Sequence, residues 1–158
     1  MRKLFFAIAV ACVGVFATSC DKDDDGNIII PTMSATIDNQ EWLGIAPKGI
    51  LTNGVLNITC TSLDGKLINI TVNGDKEGTY ELIPLLKHQC EAVYKPIIGT
   101  GEESSSLIGA NGKVVITKFD TNKKRVSGTF EFNLTNSAAA IGQITKGTFS
   151  DVSYSTVQ

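Results

Sequence analysis

The stretch Arg125-Val126-Ser127-Gly128-Thr129-Phe130-Glu131-Phe132-Asn133-Leu134-Thr135 decides the fold class. In an extended chain Val126, Gly128, Phe130, Phe132 and Leu134 fall on one face. Arg125, Ser127, Thr129, Glu131, Asn133 and Thr135 fall on the other. Such alternation means one face on a core and one in water, the signature of an antiparallel sheet. Working outward, Leu56, Ile58 and Cys60 alternate with Asn57, Thr59 and Thr61, and Asp64-Gly65 then predicts a type I′ hairpin. Ile68, Ile70 and Val72 alternate with Asn69 and Thr71 before Asn73-Gly74 ends the run. Shorter runs cover 34–37, 41–43, 79–83, 113–119 and 144–154; Asp38-Asn39-Gln40 joins the first two. No segment keeps a 3.6-residue period. About eight strands at short spacing predict an all-β domain: an antiparallel β-sandwich or open β-barrel, meander-like with tight hairpins. Pattern does not separate sandwich from barrel.

The N-terminal residues read as an address. Arg2 and Lys3 precede an apolar run from Leu4 to Ala17, which as a helix rises about 21 Å, short of a bilayer core of about 30 Å. It is therefore a secretory signal, not a span. Ala17-Thr18-Ser19-Cys20 resembles a bacterial lipobox, with Ala17 in place of the usual Leu; the resemblance implies cleavage before Cys20 and its acylation. The next residues, Asp21, Lys22, Asp23, Asp24 and Asp25, form an acidic tether. Lys22-Asp23-Asp24 also resembles the export signal of Bacteroidota surface lipoproteins, which implies transfer to the outer face of the outer membrane. A calcium loop is disfavoured, because Thr32 stands where a bidentate Glu is required, and no metal is expected. The expected organisation is 1–19 signal peptide, 20–31 lipidated Cys and tether, and 32–158 a single all-β domain.

The chain carries 14 basic and 16 acidic residues, a net charge of −2, with a pI near 5.4. From Thr32 onward the balance is 11 basic to 12 acidic, so most of the charge lies in the tether. A near-neutral domain has no basic field for nucleic acid. No G-x-S-x-G, P-loop, H-E-x-x-H or C-x-x-C occurs, and one His leaves little material for a metal site or a triad. His88 and Cys90, two apart on an expected strand, would share a face, a weak echo of a thiol enzyme. No enzyme and no cofactor are expected. Cys60 and Cys90 either pair as a disulfide in an oxidising envelope or remain buried thiols. Lys123-Lys124-Arg125 reads as a solvated hairpin loop, and the sequons at Asn57, Asn69 and Asn133 as products of polar-out alternation.

The longest connection, 84–111, reads as an irregular loop and supplies the candidate binding residues His88, Tyr94, Glu102 and Glu103. Tyr94 could stack on a sugar, as could Trp42, although Trp42 early in a hairpin is more often a core plug. The ordered motifs Gly78-Thr79-Tyr80-x-Leu82, Gly112-x-Val114-x-Ile116-Thr117, Val126-Ser127-Gly128-Thr129-Phe130 and Ile144-Thr145-x-Gly147-x-Phe149 resemble a group of small Bacteroidota lipoproteins with domains of unknown function. That resemblance implies an all-β fold and no particular activity. The expected function is a lipid-anchored, surface-exposed binding module for a glycan or protein. The alternative is a lipocalin-like carrier of a small apolar ligand, against which Phe130, Phe132, Tyr80 and Ile70 imply a filled interior.

Overall fold

The structure, a computed structural model, describes residues 32–96, 106–136 and 139–157. Its strands are β1 (Thr32–Ile37), β2 (Gln40–Thr52), β3 (Val55–Ser62), β4 (Leu67–Val72), β5 (Gly78–Ile83), β6 (Lys87–His88), β7 (Cys90–Lys95), β8 (Leu107–Asp120), β9 (Arg125–Asn136) and β10 (Ala139–Val157). Pairing runs β8-β7-β4-β3-β2-β1-β10-β9, and β9 pairs back to β8 from Ile108↔Thr135 to Asp120↔Arg125. These eight strands form a closed barrel rather than a sandwich. Closure leaves the barrel strands without the unpaired edges that invite aggregation. β5 and β6 are extra: β5 pairs with the lower half of β8, from Gly78↔Ile116 to Leu82↔Gly112, while the upper end of β8 pairs with β7.

One strand explains the closure. β10 shifts register three times against β9, between Ala140/Gly142, Ile144/Gly147 and Phe149/Val152, with Lys146 and Asp151 at φ 51° and 47°. Each bulge adds twist and bends the strand. β10 thereby coils far enough to pair with β9, β1 and, in parallel, β2 over Lys48–Thr52. β2 bends likewise at Ala46-Pro47, where the register with β3 shifts and a ladder donor is not needed from Pro47.

Inside, Phe130, Phe132, Phe149, Ile58, Ile68, Ile70 and Tyr80 are all buried, so the barrel interior is a packed core. Outside, Asn57, Thr59, Asn69 and Thr71 hydrogen-bond one another across β3 and β4 at 2.6–3.2 Å.

Three expectations are corrected. The 84–111 connection is largely strand, holding β6, β7 and the start of β8. Asp64-Gly65 forms a different turn: only Gly65 has positive φ (83°), its N–H donates to Ser62 O at 3.0 Å, and Ser62 N–H donates to Lys66 O at 2.9 Å. The Ser62 hydroxyl bridges Asp64 and Lys66 and stabilises this three-residue loop over the two-residue type I′ form. Arg125 is not in a solvated loop but buried, its Nη1 donating to Asp151 O at 2.9 Å. Asp120 Oδ1 instead caps the loop, accepting from the N–H groups of Asn122 and Lys123.

Of the two alternatives open for Cys60 and Cys90, the structure has the second: both are free and buried, and do not bridge. Cys60 lies level with Ile68, and Cys90, two strands from β3, lies level with Val72. Four residues along and two strands across put their Cα atoms about 16 Å apart, against a disulfide limit of about 7 Å.

Candidate binding site at the barrel mouth

In an antiparallel meander alternate connections fall at the same end. The β1–β2 turn at Asp38-Asn39, the β3–β4 turn at Ser62–Lys66 and the ends of β7 and β8 therefore meet at one mouth. Between them lies an open cleft of about 330 Å³. Trp42, Tyr94, Ile37, Pro96 and Leu107 form its apolar surface, and Asp38, Gln40, Glu41 and Lys66 its polar rim.

Each element places its side chain for a local reason. Asp38 and Asn39, at φ 48° and 65°, make a two-residue hairpin between paired Ile37 and Gln40. Asp38 is fixed further by β10: its N–H donates to Gln143 O at 3.1 Å, and its Oδ1 accepts from Gln143 N–H at 2.9 Å. Lys66 Nζ lies 2.8 Å from Asp64 Oδ2. That pairing raises the Lys66 ammonium and lowers the Asp64 carboxyl from their ordinary values.

Trp42 is 3% exposed and its Nε1–H donates to Lys66 O at 3.4 Å. The core-plug alternative holds for Trp42. Tyr94 is 7% exposed, and burial pushes its phenol up from its ordinary value, with Lys66, Asp64 and Asp38 the charges it feels. Among the described residues its hydroxyl has no hydrogen-bond partner.

The sequence-predicted residues scatter. Tyr94 and Trp42, from separate arguments, arrive at one cleft. His88 does not: it sits exposed on β6, six positions before Tyr94, and its carbonyl accepts from Asn73 Nδ2 at 2.9 Å. Nor does it share a face with Cys90, which is buried and donates to Tyr80 O at 3.1 Å. Burial pushes the Cys90 thiol up to about 11, so it is protonated at neutral pH. Glu102 and Glu103, Cys20 and Asp21, Lys22, Asp23, Asp24 and Asp25 lie outside the described residues. Asp38, Glu41 and Lys66 were not anticipated as site residues. The alternate-turn rule would have gathered them, once the strands were counted correctly.

A wider depression of about 450 Å³ lies on the outer wall by Ser34, Thr36 and Lys146, but it has no aromatic floor. Among the described residues no three His, Cys, Asp or Glu side chains are placed to hold a metal ion.

Fold and site together define a small antiparallel barrel with a filled interior and one polar-rimmed mouth. The chain belongs to the family described as Domain of unknown function (DUF6252), which matches residues 18–153. Comparison with curated proteins and with solved structures gave no match to either.

Proposed function

We propose that the protein is a lipoprotein of the bacterial outer membrane, of Bacteroidota type, held by acyl chains on Cys20 and displaying the barrel at the cell surface as a non-catalytic binding module. The binding site is the mouth. One observation carries this: Tyr94, a residue only 7% exposed, lines a 330 Å³ cleft open to solvent, and no described residue hydrogen-bonds its hydroxyl, which leaves that group to a ligand. A ligand group that hydrogen-bonds this hydroxyl would gain about 0.5–1.5 kcal/mol. The family match begins at Thr18, two residues before Cys20, which supports treating the residues before it as a leader.

The second reading, a lipocalin-like carrier, fits the barrel but not its filling. The interior positions that a carrier leaves open hold Phe130, Phe132, Ile70 and Tyr80. A ligand is therefore directed to the mouth and not into a calyx.

Two measurements test the proposal. Metabolic labelling with palmitate should mark the protein and fail on Cys20→Ala, and proteinase K should digest it on intact cells. An unlabelled, normally processed product removes the anchor; full protection from the protease removes surface display.

A further inference from the structure

We infer that the mouth takes a small cationic amphipath, an ammonium group carried on a short apolar body. The inference rests on the mouth being a binding site and adds the chemical class of what binds. At about 30 Å³ per water-sized group, 330 Å³ holds about ten non-hydrogen atoms. The apolar lining, from Trp42, Ile37 and Leu107, suits a hydrocarbon portion.

Charge selects the other portion. Asp38 brings a carboxylate to the rim, and Glu41 adds a second at its edge, shared with the outer-wall depression beside Lys146. Among the described residues the rim's cation is Lys66, which is engaged at 2.8 Å by Asp64, a residue that lines no part of the cleft, so its charge is offset locally. A bound anion would meet net like charge, whereas an ammonium would meet Asp38. Asp38 is held by the backbone of Gln143 before any ligand arrives, so little ordering is needed on binding. The phenol oxygen of Tyr94, with no competing donor among the described residues, can accept an ammonium N–H.

The chain has a single tryptophan, and it lines the cleft. Its fluorescence therefore reports occupancy directly. The full chain, purified in nonionic detergent, would be titrated with phenethylamine, phenethyl alcohol and 3-phenylpropionate, which share a ring and differ in charge. The amine should change Trp42 emission saturably, with at least tenfold higher affinity than the alcohol and the acid weakest. The preference should shrink in high salt. Asp38→Asn keeps an acceptor and tolerates φ 48°, so it should preserve folding while lowering amine affinity several-fold and leaving the alcohol unchanged. Tyr94→Phe should weaken both hydroxyl- and amine-bearing probes. Equal binding of amine and alcohol, or tighter binding of the acid, overturns the cationic class while leaving the mouth as a site. No response of Trp42 to any of the three overturns both.

Discussion

Cys60 and Cys90 sit on the inner face of the wall, where burial pushes both thiols from 9.0 to about 11. In the unfolded chain they ionise near their ordinary value; in the folded chain they hold their protons longer. Between about pH 9 and 11 the unfolded state therefore binds fewer protons, and stability falls as pH rises. Below pH 9 the contribution is intact. Tyr94 and Tyr154 are raised in the same direction and steepen the loss at the alkaline end. Urea midpoints should be flat from pH 7 to 8.5 and drop from 9 to 11, and the drop should be smaller in Cys60→Ala/Cys90→Ala. An equal drop in that variant would assign the alkaline loss elsewhere. Alkylation should label both thiols only in denaturant; a disulfide-linked peptide would contradict the strand register. At this scale the sequence revealed which residues face inward but not which of them touch. Tyr94 and Trp42 were singled out for aromatic character, and only the register showed that they share a cleft.

Two glycines show how the elements are made, each by a different physical route. Asn53-Gly54, at φ 50° and 78° between paired Thr52 and Val55, is the type I′ hairpin of the barrel's far end. An added Cβ at Gly54 meets nothing within 4 Å, so Gly54→Ala costs only the left-handed backbone, about 1–2 kcal/mol. Gly128 in β9 lies between β8 and β10, and an added Cβ would stand 2.2 Å from Val115 O and 2.6 Å from Phe149 Cζ. Gly128→Ala must move backbone and should cost about 3 kcal/mol. Urea denaturation of the pair should rank them in that order; the reverse order would mean that the wall yields around Gly128.

Elements were legible where alternation is strong, as in β3, β4 and β9. β7 was hidden because its inward residues Cys90 and Ala92 are small, and Pro84 and Pro96 bracket the region like a loop. The bulges of β10 were hidden because Lys146 and Asp151, not glycines, take the positive φ.

At the scale of the whole molecule, the barrel is sealed below β1 by a short parallel seam, where Ser153–Val157 pairs with Lys48–Thr52. The first described residue, Thr32, lies beside this seam, and the β1–β2 turn lies at the other end of β1, so the mouth and Thr32 are at opposite ends of β1. No alternation pattern reveals such a seam, because it pairs segments about a hundred residues apart. Tyr154 anchors it. The residue is buried opposite Gly49, its ring centroid 5.2 Å from that of Phe119, its N–H donating to Lys124 O at 2.9 Å and its hydroxyl to Asp120 O at 3.4 Å. It thereby ties the seam to the β8–β9 turn. If the closed ring unfolds as one unit, Tyr154→Ala should cost about 3–5 kcal/mol with an unchanged denaturant slope. Tyr154→Phe, losing one long hydrogen bond, should cost about 1 kcal/mol or less. Ile50→Ala, at a half-exposed position on the same seam, should stay within about 0.5 kcal/mol. Should Tyr154→Ala instead leave the midpoint nearly unchanged while amides 153–157 alone lose hydrogen-exchange protection, the seam is a fraying end. The barrel would then be held by its antiparallel strands, with closure a consequence of β10's coiling and not a source of stability.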